Sequence, residues 1–284
     1  MPKKKTILMT GAAGDVATFL RRELAGRYEL LLSDRKSVAP LGPGEQFRRA
    51  DLTSLAAMRR LVRGVDAVVH LGGFSVEADW NTILQANIIG AYNLFEAARL
   101  AGVKRMLFAS SNHAVGFYPR DQKIDDQVYP RPDSRYGLSK VFGEQLGRLY
   151  ADKYGLEVFC MRIGNVATAP VDRRRLAIWI SPRDLAELVC IGIERPQLHF
   201  EIVYGVSDNR RAWWDNRNAR RLGYRPQDRS EQWAKALLSA HVDDPNPMVE
   251  RFQGGTFVAT EFGGDPNRPL PGERSARRKR RTVP

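Results

Sequence analysis

A tyrosine and a lysine stand four positions apart in Tyr136-Gly-Leu-Ser-Lys140, and at that spacing a helix puts phenol and ammonium on one face, one turn apart. A phenol loses its proton near pH ~10, so using it as a base near neutrality requires the phenolate to be favoured by about three units, or about 4 kcal/mol. A cation one turn away is the direct means. The pair predicts abstraction of a hydroxyl proton. Ser111, at the exit of the preceding apolar run, is placed to hold that hydroxyl in line with the phenol, and Lys140 can also reach ribose hydroxyls. Taken alone, the same spacing describes an ordinary amphipathic helix.

A second set of residues has the chemistry of a pyrophosphate cradle. Thr10-Gly11-Ala12-Ala13-Gly14-Asp15-Val16-Ala17 joins an apolar run to a stretch of helical periodicity. Gly11 and Gly14 allow a tight turn and close backbone approach, small Ala17 lets the helix pack on the strand, and the helix N-terminus offers N–H groups to negative charge. Ala13, Asp15 and Val16 share the turn and join the candidate contacts. Asp34 ends the next apolar run, 23 residues after Gly11. A carboxylate there accepts both adenosine ribose hydroxyls and repels a 2′-phosphate, which selects NAD over NADP; Arg35 beside it would partly offset that repulsion. Asp51 and Leu52 are expected at the adenine, although Asp51 would also serve as a cap for the helix that follows. Leu71, Gly72 and Gly73 at a strand end, Asn87 in a long helix and Ile163 before Gly164 complete the expected cofactor contacts, Asn87 remaining open to a plain mid-helix polar role.

These residues need a scaffold that returns them to one edge. Residues 6–10, 28–33, 66–71, 105–110, 158–163 and 200–204 read as strands, and residues 16–24, 55–62, 81–100 with a break at Gly90, 136–150 and 182–193 read as helices. Strands alternating with helices of this length pair in parallel through right-handed crossovers, so the predicted class is α/β, a Rossmann-type doubly wound parallel sheet. After about Gly164 the order loosens, with Pro170, an Arg173-Arg174-Arg175 run and several tryptophans. The expected division is a dinucleotide-binding core over residues 1–164, a small C-terminal substrate lobe interwoven with it over 165–267, and a basic, disordered tail over 268–284.

With 284 residues, 43% hydrophobic and 27% charged, the chain can bury a large core and is neither disordered, collagen-like nor a disulfide scaffold. No apolar run approaches the roughly 20 residues of a membrane span. Lys3-Lys4-Lys5 is basic like a signal peptide, but the apolar stretch after it breaks at Gly11 and Gly14, so a cytoplasmic location is expected. Cys160 and Cys190 read as buried small hydrophobes of a reducing compartment. Of the net charge of +13, residues 268–284 carry +6 and Lys3 to Lys5 carry +3, so basicity belongs to the ends and nucleic-acid binding is not expected of the core. The four histidines form no H-x-x-x-H or H-E-x-x-H pair, which argues against metal catalysis. His70 and His199 read as satisfied strand histidines, and His113, at a strand exit, as a substrate hydrogen-bond residue. Trp213-Trp214 reads as packing rather than sugar stacking.

Together the glycine turn, Asp34, Ser111 and Tyr136-x-x-x-Lys140 resemble the extended short-chain dehydrogenase/reductase family, which includes the NAD-dependent epimerases and dehydratases, over at least residues 6–260. Within it, His70-Leu-Gly-Gly-Phe-Ser-Val-Glu77, Ala109-Ser-Ser-Asn-His-Ala-Val-Gly-Phe-Tyr-Pro119, Trp213-Trp-Asp-Asn216 and Arg251-Phe-Gln-Gly-Gly-Thr-Phe257 look like the uronate dehydrogenases. The resemblance implies NAD-dependent oxidation of D-glucuronate or D-galacturonate at C1 to the aldarolactone, with Tyr136, Lys140 and Ser111 catalytic. It implies a substrate shell of Ser75, Ser111, Asn112, His113, Asn165 and Arg174, a small sugar acid as partner, and a homo-oligomer. Arg174 is the expected carboxylate clamp, with Arg173 and Arg175 one register step away. Asn165 departs from the serine usual there, and Val166-Ala167 from a Cys-Thr pair; an amide still donates and accepts. Two alternatives remain: a nucleotide-sugar epimerase or dehydratase, which needs a larger lobe, and a non-catalytic NAD-sensing regulator, a class that often lacks the Tyr-Lys pair.

Overall fold

The computed structural model describes residues 3–265, so the expected tail from Arg268 lies outside the described residues. The strands are β1 (Thr6–Thr10), β2 (Glu29–Ser33), β3 (Glu45–Phe47), β4 (Ala67–His70), β5 (Arg105–Ser111), β6 (Glu157–Ile163), β7 (Asn165–Val166), β8 (Trp179–Ile180) and β9 (Phe200–Gly205). Seven of them form one parallel sheet in the order β3-β2-β1-β4-β5-β6-β9, while β7 and β8 pair separately. The chain reverses direction across the sheet between β1 and β4, and ligands of such sheets bind at the carboxyl ends of the strands beside that switch.

The inner strands are apolar at successive positions because both faces of the sheet are covered. Ile7 and Met9 of β1 and Leu107 of β5 join one core with Ala17, Leu20, Leu185 and Val189. Leu8, Met106 and Phe108 point the other way, against Leu94, Phe95 and Leu146. Helices α1 (Asp15–Glu23), α2 (Leu55–Leu61), α3 (Trp80–Ile83), α4 (Gly90–Leu100), α5 (Arg135–Tyr154), α6 (Arg173–Ile178) and α7 (Pro182–Glu194) fill the crossovers. Each fully buried Leu or Phe contributes about 1.5–3 kcal/mol. Caps fix the long helices: Ser134 accepts from Gly137 N at the start of α5, which ends at Gly155 with φ 70°, and Ser181 with Pro182 begins α7.

The break expected at Gly90 lies one turn earlier, as a π-helical segment over Leu84–Ile89 between α3 and α4. Gly90 serves packing instead, since a Cβ there would meet Leu52 Cβ at 2.9 Å. Helix α5 runs beyond the expected Tyr150 to Tyr154, and β5 includes Ser111.

Segments leaving β5, β6 and β9 gather above the carboxyl edge of the sheet. Val115, Tyr118 and Ile124 pack there against Ile178, Tyr204 and Trp214, and Met248, Phe252 and Val258 form a further cluster. Trp214 stacks on Tyr204 with ring centroids 4.8 Å apart and donates to Gln253 Oε1, so its indole is occupied by packing.

Candidate active site

Gly11 adopts φ 70°, and a Cβ on it would lie 2.7 Å from Gly72 N. Glycine therefore closes the first βα turn onto the end of β4, where Thr10 Oγ1 bonds His70 Nδ1 at 2.7 Å and accepts from Gly72 N at 3.3 Å. Gly14 precedes Asp15 and Val16 as the N-cap of α1 and brings no side-chain cap, so the first N–H groups of that helix face the turn. Asp34 Oδ2 accepts from Ala13 N at 3.1 Å and Oδ1 from Lys36 N at 3.0 Å, fixing the carboxylate beside the turn. Thr10, Gly11 and Asp34 line a cleft of about 430 Å³ with Arg35, Asp51, Leu52, Gly72 and Gly73.

Asp51 is not the helix cap: Ser54 accepts from Ala57 N at the start of α2, and Asp51 Oδ1 accepts from the backbone and hydroxyl of Thr53 at 2.9 Å each. A glycine turn closed on backbone, a helix end left open and a carboxylate at the second strand together fit the pyrophosphate and adenosine ribose of a dinucleotide. Leu71, whose N–H reaches Thr10 O, and Ile163, paired with Ser111, sit at the same carboxyl edge.

Asn87 lies in the π-helical segment and is fully engaged. Its Oδ1 accepts from Phe74 N at 2.6 Å, and its Nδ2 donates to Phe74 O at 3.0 Å and to Ser139 Oγ at 2.9 Å. Ser139 in turn donates to Tyr136 O, so Asn87 ties the loop after Gly73 to the helix that carries the tyrosine. The π turn is what aims this amide, a use such turns often have at functional sites.

Tyr136 and Lys140 are both buried on α5, one turn apart. Burial pushes the phenol up to about 12, aided by the charge of Asp133 and opposed by the Ser111 hydroxyl. Burial pushes the ammonium down to about 8. Lys140 Nζ donates to Ala109 O at 2.9 Å and lies 5.4 Å from the centre of the Tyr136 ring. Behind this pair the sheet and α5 are locked by Arg162 and Glu144, both fully buried, through two 2.9 Å bonds, with Ser110 Oγ adding a 2.6 Å bond to Glu144. At the start of α5, Glu77 accepts from Tyr136 N at 2.8 Å and pairs with Arg135.

On the lobe side, His113 Nδ1 bonds Asp133 Oδ2 at 2.7 Å. The imidazole stacks on Phe257 with centroids 3.9 Å apart and presents an edge toward Tyr136 at 5.8 Å. Arg174 Nε donates to Gln253 O at 2.9 Å. With the Asn112 amide oriented to satisfy both neighbours, it donates to Ile163 O at 3.3 Å and accepts from Arg174 Nη2 at 3.0 Å. Arg173 and Arg175 are paired with Asp243 and Asp172, whereas Arg174 forms no ion pair among the described residues. Burial lowers the Arg174 guanidinium to about 10.

The structure thus gathers Ser111, Asn112, His113, Tyr136, Lys140 and Arg174 at one end of the sheet. Ser75 lies in the exposed loop between β4 and α3, and half-buried Asn165 begins β7 opposite Trp179; among the described residues no side-chain hydrogen bond ties either to the rest. His70 is a core residue as expected, pushed down to about 3 by burial and the charge of Lys140. His199 instead precedes its strand, exposed and paired with Asp152. Cys160 and Cys190 are buried and free. The sequence reading missed Asp133, Glu77 and Glu144 as supports, along with Phe257 as a wall; only Glu77 and Phe257 lay within the stretches that carried the resemblance.

Residues 7–213 match the NAD dependent epimerase/dehydratase family. A uronate dehydrogenase of Pseudomonas putida is 47% identical over 257 residues, covering 89% of this chain and 95% of that one. Among solved structures, a glucuronic acid dehydrogenase from Chromohalobacter salexigens has a TM-score of 0.87 at 44% identity, covering 90% of this chain and 97% of that one. A mutant uronate dehydrogenase from Agrobacterium tumefaciens, in complex with NAD, has a TM-score of 0.86 at 43% identity, with 90% and 97% covered.

Proposed function

The chain belongs to the NAD dependent epimerase/dehydratase family and, within it, to the uronate dehydrogenases, and on that premise we propose how its residues oxidise a hexuronate such as D-glucuronate or D-galacturonate at C1 to the aldarolactone. NAD, when bound, supplies the two-electron acceptor for the hydride leaving C1, held by the glycine turn, Asp34 and the residues of the adjoining cleft. Tyr136 Oη removes the proton of the C1 hydroxyl, Ser111 orients that hydroxyl, and Lys140 sets a positive charge beside the phenolate as it forms. Asn112, His113, Ser75 and Asn165 contact the sugar.

The observation that carries the sugar-acid reading is Arg174. Its Nη2 donates to the amide of Asn112, the residue after Ser111, its neighbours in sequence are spent on ion pairs elsewhere, and it has none of its own among the described residues. A partly buried guanidinium without an anion is electrostatically incomplete, and a substrate carboxylate completes it through charge-assisted hydrogen bonds. That arrangement favours an acid over a neutral sugar.

No described helix is long and apolar enough to cross a membrane, and two buried free thiols suit the reducing cytoplasm we propose as its location. Mixing the protein with NAD and glucuronate or galacturonate should produce NADH absorbance, with glucose and galactose far weaker. Equal rates on acids and neutral sugars would reject the reading.

A further inference from the structure

Asp133 stands just before Ser134, the N-cap of α5, and beyond the charge that helps raise the Tyr136 phenol it has no part in the proton and hydride steps above. Its surroundings are nevertheless built around its carboxylate. A Cβ placed on Gly116 or Gly254, in two separate segments, would lie 1.8 or 1.9 Å from Asp133 Oδ2, so both glycines leave room that this side chain fills. Oδ1 accepts from Ser134 Oγ at 2.8 Å and Oδ2 bonds His113 Nδ1 at 2.7 Å. The Asp133 side chain is fully buried, and the His113 side chain is 11% exposed.

An imidazole has two freedoms that matter for recognition: the orientation of its ring and which nitrogen holds the proton. Phe257, stacked 3.9 Å away, fixes the ring plane. Asp133, an acceptor, fixes the proton. We propose that Asp133 is a positioning residue for substrate recognition, holding His113 with its proton on Nδ1 so that Nε2 accepts a hydrogen bond from a hydroxyl of the sugar held against Tyr136. The proposal rests on the hexuronate reading for the identity of that sugar. No hydrogen-bond partner is seen for Nε2 among the described residues, in keeping with an acceptor reserved for ligand.

Asp133→Asn keeps the shape but presents an amide whose nitrogen can donate, which favours the reversed tautomer and turns Nε2 from acceptor to donor, so the sugar hydroxyl must give up the hydrogen bond it donated and reorient to accept. It should raise KM for the hexuronate and lower kcat/KM by at least about tenfold, with NAD affinity within about twofold of wild type. If Asp133 acts through His113, the same change in a His113→Gln background should cost less than about threefold more. An equal cost in both backgrounds, or wild-type kinetics for Asp133→Asn, overturns the proposal.

A second measurement needs no change at Asp133. In nitrogen-15 spectra of histidine-labelled protein, with the His113 signals assigned by comparison with His113→Gln, the proton should sit on Nδ1. In the Tyr136→Phe protein with NAD, saturating hexuronate should shift the Nε2 signal as a hydrogen-bonded acceptor. A proton on Nε2, or an unmoved signal, overturns the proposal. If wild type fails to make NADH from hexuronates, the function reading falls, while the tautomer can still be read.

Discussion

Lys140 Nζ sits 5.4 Å from the centre of the Tyr136 ring while donating a 2.9 Å hydrogen bond to the carbonyl oxygen of Ala109. Burial drives the two groups in opposite directions, the phenol up to about 12 and the ammonium down to about 8. Oxidation should therefore speed up with rising pH as the phenol loses its proton. Lys140→Met keeps the apolar stem and deletes the charge, so it should move the rising limb of the pH–rate profile upward by about one unit and lower kcat at neutrality more than about tenfold. A limb that stays in place would assign the lysine to cofactor binding alone.

Tyr136→Phe retains the ring that packs near His113 and Phe257 and removes the ionisable oxygen. The variant should fold, bind NAD by fluorescence titration with unchanged affinity, and lose at least about 10²-fold in kcat. Retained turnover would give the base role to another group.

The Arg162–Glu144 pair is fully buried and bidentate. Removing one partner leaves a desolvated charge, so Arg162→Met alone should cost about 3–5 kcal/mol in urea unfolding, while Arg162→Met with Glu144→Leu should recover much of that loss. If the single and double variants unfold alike, the pair is not what locks α5 to the sheet.

His70 sets an acid limit. Burial pushes its imidazole down to about 3, below the 6.5 of an ordinary histidine, so between those values the unfolded chain binds more protons and stability falls as pH falls. By pH ~4 that amounts to about 3 kcal/mol as an upper bound. Urea midpoints near pH 7 and near pH 4 should therefore differ more in wild type than in His70→Gln; equal slopes would show that other groups govern acid unfolding.

Much of this was legible in the sequence because it is local. The glycine turn, Asp34 and the Tyr136–Lys140 spacing each sit within one element or at its end, where period and residue type carry the meaning. Asp133 is legible only in three dimensions, because Gly116 and Gly254, 138 positions apart, make its space. Glu77 likewise holds Tyr136 N across 59 positions. The helix break was misplaced at Gly90 because glycine there signals close packing on Leu52, and a π turn over Leu84–Ile89 has no periodicity of its own. Arg174 could not be told from Arg173 and Arg175 by type. The structure separates them by their partners.

The central claim is that Arg174 awaits a substrate carboxylate, and the most direct measurement is kcat/KM for a hexuronate and for its neutral hexose in wild type and in Arg174→Ala, with Arg173→Ala and Arg175→Ala as controls. A charge-assisted pair of about 1.5–3 kcal/mol predicts a roughly 10- to 150-fold loss for the acid and little change for the neutral sugar in Arg174→Ala alone. Wild-type preference for the acid that survives in Arg174→Ala, or a wild type that oxidises neutral sugars equally well, would contradict the account.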